Sequence, residues 1–453
     1  MSEQVIGGQG TEKTPVPRRE PKNIGLMIGN FFRKYTMVLA LVAVVIFFGV
    51  LVEEKNSILS SKNLTSLITA NTYVFILATG MLLCILTGGN IDLSVGSVVC
   101  LAGAVGCIML EAKINMWLAV LAMMGIGLVI GVFQGFWIAK IRVPAFIATL
   151  SGFYAYRGFA SWIMNGESHV GMIAKDSDFV KFFGSYNNSY VSSVLRGWFP
   201  ALEQSAKDGW IASVEKIFTR EGSFFRNLLF GVNSAKNFDV ISFLIGLLAA
   251  LIFIAMMVRK MIVQKKMGIK QSVPGQIITT VIVSLAIIWL SLALSYYKGF
   301  PMVLVWILLV LGVYAYITNR TAMGRHLYAV GGNEKATALS GIKTRNVYWF
   351  AYANIGLLAG LAGALTTGLN KGIDPKYGEG YEMDAIAACF IGGASAYGGT
   401  GKVSGMIIGA ILMGVINKGM DLNGVEDPYK KVVKGLVLLA AVLFDVLSKR
   451  RKR

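Results

Sequence analysis

Long apolar runs separated by short polar breaks set the pattern of this chain. Twelve stretches are apolar over most of their length: 36–52, 66–87, 94–110, 116–138, 144–164, 238–258, 274–296, 301–318, 347–370, 384–397, 403–419 and 432–447. Since about 20 apolar residues in a helix cross the hydrocarbon core of a bilayer, and a helix satisfies its own backbone there, the pattern predicts an all-α polytopic bundle of about 10–12 membrane segments. The first run lacks a small-residue cleavage pattern and begins too far into the chain for a signal peptide, so it reads as a retained span.

Two places break the span rule. Residues 87–94, Thr-Gly-Gly-Asn-Ile-Asp-Leu-Ser, put two glycines and a carboxylate between apolar runs, and the 384–397 run contains Gly392 and Gly393 and is too short to cross. Both read as broken or re-entrant helices, and irregular backbone at membrane depth is tolerated only where protein or a watery cavity satisfies it. Glycine-interrupted segments in both halves of a chain point toward a transport path. Small residues also recur at intervals of four, at Gly127, Gly131 and Gly135, at Gly356 and Gly360, and at Gly405 and Gly409. That spacing lets helix backbones approach closely in lipid, with or without a role in transport.

The polar interruptions divide the chain. Residues 1–34 read as a cytoplasmic tail, 35–164 as membrane segments one to five, 165–237 as an extracytoplasmic insertion, and 238–453 as segments six to twelve with a cytoplasmic loop at 320–346. The insertion carries Phe182, Phe183, Tyr186, Tyr190, Trp198 and Trp210 and reads as a small cap or amphipathic hairpin, either structural padding or a binding element. Within 320–346 the residues predict a helix of about two turns. Asn333 caps it, Glu334 suits the positive end of its dipole, and Gly341 ends it in a left-handed conformation. Ala336, Leu339 and Ile342 form an apolar stripe at helical spacing for packing partners. These residues fit either a solvated loop or a surface through which something outside the membrane moves the bundle.

Composition agrees: 55% of the 453 residues are hydrophobic and 15% charged. The net charge of +19 is distributed by topology rather than gathered for nucleic acid. With the amino terminus inside, the inner segments 1–34, 88–93, 139–143, 259–273, 319–346, 398–402 and 448–453 hold 24 Lys and Arg against five Asp and Glu, and the short outer loops carry no such excess. That bias places both termini in the cytoplasm, and a basic inner face also favours anionic lipid.

Candidate chemistry is sparse. Cys84, Cys100, Cys107 and Cys389 lie in apolar stretches without metal-ligand spacing, and His169 and His326 stand far apart, so no metal site is expected. Asp92, Arg157 and Lys434 are ionisable residues inside apolar segments and therefore functional candidates. Asp92 suits either a cap for the helix beginning near Ser94 or a solute contact. Arg157 suits either a pair with Asp92 or the outer interface, and Asp239 and Asp445 sit at span ends, where a solvated carboxylate is ordinary. Asn90, Asp92, Ser94, Arg157, Gly392 and Gly393 are the candidate translocation-path residues; Gln134, Tyr154, Asn354 and Asn370 are polar at plausible depth. Residues 398–402, Gly-Gly-Thr-Gly-Lys, fail the phosphate-loop pattern, because Ala396 and Val403 occupy required positions and no strand precedes them. No catalytic constellation is found, so the chain is not expected to be an enzyme.

Several strings resemble the permease subunits of bacterial ABC importers for monosaccharides: GGNIDLSVGS at 88–97, VPAFIATLSGFYAYRG at 143–158, GRHLYAVGGNEKATALSGIKT at 324–344, EMDAIAACFIGGASAYGGTGKVSG at 382–405 and VVKGLVLLAAVLFDV at 432–446. Spans near 238–258 and 274–296 and the GGASAYGG wording are most similar to xylose and multiple-monosaccharide permeases. The resemblance covers about 24–165 and 300–453 and is poor over about 170–236. It implies two permease copies, a cytoplasmic ATPase that binds the ATP, an extracytoplasmic sugar-binding protein, and no cofactor in this chain. It also implies that Gly331, Gly332, Asn333, Glu334, Ala336, Leu339, Ser340, Gly341 and Ile342 form the ATPase-coupling segment. An ion-coupled secondary transporter is the alternative, but it needs embedded carboxylates, of which the sequence offers few beyond Asp92.

Overall fold

The computed structural model describes residues 24–51, 57–219, 238–268 and 273–450. Most of the expected 1–34 tail, the end of the 165–237 insertion and the last three residues of the basic terminus lie outside these. In chain order come α1 (Ile24–Leu51), α2 (Ser61–Ala70), α3 (Thr72–Leu86), α4 (Val95–Glu111), α5 (Met116–Phe136) and α6 (Ala145–Ile163). Four short helices follow, α7 (Asp178–Phe183), α8 (Val191–Trp198), α9 (Pro200–Asp208) and α10 (Trp210–Thr219). The second half holds α11 (Val240–Lys266), α12 (Val273–Ser295), α13 (Met302–Arg320), α14 (Ala322–Gly332), α15 (Glu334–Leu339), α16 (Thr344–Asn370), α17 (Tyr381–Ile391), α18 (Val403–Leu422) and α19 (Asp427–Arg450). Among the described residues there is no strand beyond an isolated bridge between Tyr190 and Pro301, so the fold is an all-α bundle.

Among the described residues, and by length and apolarity alone, six single helices can cross a membrane: Met116–Ile141, Val240–Lys266, Gly275–Ser295, Met302–Arg320, Thr344–Asn370 and Val403–Leu422. α2 and α3 pass together as a pair bent by 43°. The run at 66–87, which reads as one span in sequence, is therefore broken at Asn71. The cause is local: Asn71 Nδ2 bonds back to the Leu67 carbonyl at 2.9 Å, competing with the helical ladder.

α16 is the axis. It packs against α3, α4 and α5, and from Ile355 to Gly368 nearly every residue is buried. Leu121, Val129, Leu248, Ile282 and Leu285 on α5, α11 and α12 are instead more than half exposed, as the lipid-facing rim of a bundle requires. The glycines at four-residue spacing explain how α5 reaches the axis: a Cβ on Gly127 would overlap the Gly356 carbonyl oxygen, and one on Gly356 would overlap Gly127 and Gly131. Without a hydrophobic drive between helices in lipid, this close backbone contact supplies the association. Gly405 and Gly409 do the same for α18 against α17, at Gly392 and Ala388.

The insertion, as far as it is described, is a helical cap on the end of the bundle opposite α15. Trp306 Nε1 donates to the Phe182 carbonyl at 3.1 Å, Phe183 stacks on Trp306 with centroids 5.0 Å apart, and Met302 N–H donates to the Ser189 carbonyl at 2.8 Å. Asp239, expected as a solvated span end, is 8% exposed. Its carboxylate accepts from Ser242 Oγ and faces Arg196 of the cap at 3.5 Å, so it ties α8 to α11.

Gly356→Val is expected to lower the unfolding midpoint of the purified protein, because overpacking a helix contact costs about 1–3 kcal/mol. Gly312→Val, where a Cβ meets nothing within 4 Å, is the matched control and should leave the midpoint unchanged in a thermal-shift measurement.

Candidate functional site

The polar interruption at 320–345 folds as two short helices, α14 and α15, joined at Asn333. The Asn333 side chain accepts from the Ala336 N–H at 3.0 Å, and Gly341 adopts φ +84°, so the cap and the left-handed stop stand where the residues predict them. The apolar stripe faces outward: Leu339 is 90% exposed and Ala336 is exposed, while Thr337 is the residue turned inward. Ile342 alone of the stripe packs against the core. Among the described residues nothing covers Ala336 and Leu339.

Glu334 does not belong to that outward face. Its Oε1 takes Arg142 Nη1 at 2.7 Å and Thr344 Oγ1 at 3.2 Å, and its Oε2 takes the Tyr348 hydroxyl at 3.0 Å. Arg142 reaches it because α5 ends in a π-turn at Trp137–Ile141, after which Arg142 itself is left-handed, with φ +67°. Partial burial works against the charge, yet the hydrogen bonds from Arg142 and Tyr348 and the Arg142 charge outweigh it and hold the carboxyl below the ordinary glutamate range. Glu334 is thus an anchor that ties α15 to the corner between α5 and α6 and to α16.

Behind α15, three glycine-bearing breaks meet. A Cβ on Gly331 would overlap the Leu86 carbonyl and Gly399, one on Gly89 would overlap the Ala396 carbonyl, and one on Gly398 would overlap Gly88. Gly399, at φ +68°, donates its N–H to the Leu86 carbonyl at 3.1 Å, satisfying the end of α3. The 395–401 turn is held further by the Tyr328 hydroxyl on the Gly401 carbonyl at 2.8 Å and by Asp445, whose Oδ2 accepts from the Ala396 N–H at 3.2 Å. Asp445 is therefore a turn anchor rather than the solvated span end expected.

The embedded ionisable groups separate by role. Asp92 is 2% exposed, and its Oδ1 accepts from the Ser94 N–H at 2.8 Å and from Ser94 Oγ at 2.7 Å, while Gln134 Nε2 donates to Ser94 Oγ at 2.7 Å. It caps the turn into α4. Arg157 does not pair with Asp92: its Nη1 donates to the carbonyls of Pro375 and Tyr377. Residues 371–380, which read as an outer loop, press onto α4 so closely that Gly96 and Gly378 would each clash if given a Cβ. Arg157 supplies the donors that this non-helical backbone lacks. Lys434 pairs at 2.8 Å with Asp384, a fully buried carboxylate not singled out from sequence.

Asp384 collects α3, α18 and α19. Its Oδ2 accepts from Lys434, from the Tyr73 hydroxyl, and from Asn417 Nδ2 at 3.3 Å. Tyr73 stacks on Tyr381, and this pair borders a cavity of about 460 Å³ that Tyr186, Tyr377, Thr366 and Asn370 also line. None of the six candidate path residues lines it. Gly392 and Gly393 line a separate cavity of about 700 Å³ with Tyr328, Thr400 and Lys402. Asn90 bonds only within its own turn, to Thr87. Asn354 accepts from the Tyr314 hydroxyl at 2.7 Å, and Tyr154 is exposed. The sequence signal that could have found Asp384 is its carboxylate within an apolar run, read together with Lys434 and Asn417.

Comparison with known proteins gives a consistent answer. The family described as branched-chain amino acid transport system / permease component matches residues 63–261 and 229–442. The xylose transport system permease protein XylH of Escherichia coli K12 is 31% identical over 428 residues, covering 92% of this chain and 92% of that protein. The ribose import permease protein RbsC of the same strain is 29% identical over 406 residues, covering 90% and 92%. RbsC of Bacillus subtilis is 43% identical over 151 residues, 33% of this chain and 47% of that protein. No solved structure matches.

Two measurements check this geometry. The four native cysteines are buried, so a nitroxide on Leu339→Cys reports the mobility of α15, and Arg142→Ala should raise that mobility as Glu334→Gln does. Because the folded-state pKa of Glu334 is lowered, its anchoring contribution is complete above the unfolded value and is lost as pH falls through the folded one. The label should therefore stay ordered at neutral pH and loosen only in acid. Lys434→Met strands a buried carboxylate and is expected to cost about 3–5 kcal/mol; the double variant with Asp384→Asn should recover part of it in the same unfolding assay.

Proposed function

Because this chain belongs to the branched-chain amino acid transport system / permease component family, a family of transport permeases rather than enzymes, we propose that it is the membrane-spanning subunit of an ABC importer. Its cargo is a monosaccharide of the kind named for its xylose and ribose relatives. The observation that carries this reading is a rigidly held helix with an uncovered knob: α15 is anchored through Glu334 yet presents Leu339 at 90% exposure. A membrane protein that works alone has no need of such a feature, whereas a cleft on a separate ATPase would fill it.

In this reading the basic end, with α15 and both termini, faces the cytoplasm, the helical cap faces outward, and two copies of the chain form the path within the cell membrane. An extracytoplasmic binding protein delivers the sugar at the capped end. ATP is bound by the partner ATPase and by nothing in this chain. Closure of the ATPase dimer displaces α15, and the displacement reaches α5 and α6 through Arg142 and reaches α3 and the 395–401 turn through Gly331 and Gly399. A packed bundle responds to such a push by changing between discrete arrangements. ATP biases the equilibrium because it binds one arrangement better. The tyrosine-lined cavity beside Asn370 offers ring faces and an amide to a sugar. The spare polar atoms Glu382 Oε2, Asp384 Oδ1 and Asn417 Oδ1 are hydrogen-bonding sites for a polyol further in.

Leu339→Asp should reduce ATP-driven uptake in vesicles containing all subunits by roughly tenfold or more, the scale of a coupling energy above about 1.4 kcal/mol. Membrane insertion should be unchanged, and less ATPase should copurify. Arg142→Ala should lower uptake while leaving ATPase assembly near normal. Concentrative sugar uptake by this subunit alone on a proton or sodium gradient would replace the reading with ion-coupled transport.

A further inference from the structure

Independently of the transport reading, we propose a zinc-binding site at the capped end of the bundle, made by Cys107, Glu111 and His169. Cys107 and Glu111 stand four residues apart near the end of α4 and so share one helix face, and the segment after α6 brings His169 against them. Cys107 Sγ lies 3.3 Å from Glu111 Oε1, and His169 Nδ1 lies 3.0 and 3.3 Å from the two Glu111 oxygens. The three ligand atoms all fall within 4.8 Å of one another. Ligands at 2.0–2.3 Å from one tetrahedral centre stand about 3.3–3.8 Å apart, so the separations to Glu111 are already close to those needed and a side-chain adjustment on the order of an ångström brings Cys107 and His169 together.

The donor set is chemically matched to zinc: a thiolate, an imidazole and a carboxylate are its usual protein ligands, leaving a fourth position for water. His169 is not free to drift from the site. His169 N–H donates to the Ile373 carbonyl at 2.8 Å, and the next turn is pinned by Gly171 and Ile173 N–H groups on the Lys371 carbonyl, each at 3.0 Å. Cys107 is buried, but the side chains of Glu111 and His169 keep 28% and 17% exposure, which gives a hydrated ion a way in. On binding, the Cys107 thiol loses its proton to water and the sulfur becomes the third ligand. The ion would then join α4 to the 165–177 segment and through it to residues 371–373, fastening the cap to the bundle.

The test uses the full chain purified without a polyhistidine tag. Saturable binding of one zinc ion per chain is expected, with a rise in the unfolding midpoint as zinc is added. Cobalt in its place should give a thiolate charge-transfer absorption that Cys107→Ser abolishes while the other three cysteines remain. Cys107→Ser and His169→Ala should each weaken zinc by more than about tenfold, the lower end of what an outer-shell change alone produces. Glu111→Gln with His169→Ala, at partly exposed positions, carries the test should Cys107→Ser fail to fold. Absence of saturable zinc binding, or binding indifferent to these substitutions, overturns the site.

Discussion

Backbone that is not helical cannot sit against hydrocarbon without partners, and most of this structure's particular features follow from meeting that demand. α3 stops at Leu86, α17 at Ile391 and α14 at Gly332, and each break exposes carbonyls or N–H groups that need an address. The breaks are brought together so that they satisfy one another: Gly399 closes the end of α3, and Gly331, Gly88 and Gly398 are small enough to let the chains touch. The same demand explains Arg157, whose guanidinium serves the 375 and 377 carbonyls, and Asp445, which holds the Ala396 amide.

A junction of that kind is also a mechanical joint. Because the three breaks lie in mutual contact, no one of them can shift without repacking the others. α15 is fastened to the joint on one side and to the α5–α6 corner on the other by the Glu334–Arg142 pair. The pair is half exposed and so worth little as stabilisation, at most about 1 kcal/mol. Its contribution is positional: it fixes the angle at which Leu339 leaves the surface. One short helix thus carries an anchor at its first residue and an exposed knob at its last.

The buried charges obey the same economy. Asp384 and Lys434 cost desolvation wherever they lie, and they are retained where α3, α17, α18 and α19 converge beside the tyrosine-lined cavity. Asp92, the carboxylate most conspicuous in the sequence, is spent on a local turn. Ser94 donates both of its hydrogen bonds to one oxygen of Asp92, whereas Lys434, Tyr73 and Asn417 crowd one oxygen of Asp384, whose other oxygen is buried without a partner among the described residues.

Apolar run length, Asn333 and Gly341 are local signals, and they were enough to read the fold class, most helical positions apart from the break at Asn71, and the short helix at 334–339 down to its cap and stop. The sequence also located the breaks at 87–94 and 392–393, since glycine and carboxylate in apolar runs are visible without partners. What the singled-out residues do emerged with the packing: Glu334 turns inward, Arg157 serves backbone carbonyls rather than Asp92, and Lys434 finds Asp384. Cys107 meets His169 across 62 positions. A side chain's role is set by the unpaired group nearest to it in space, and helices packed through glycine bring together groups that no periodicity in one segment can pair.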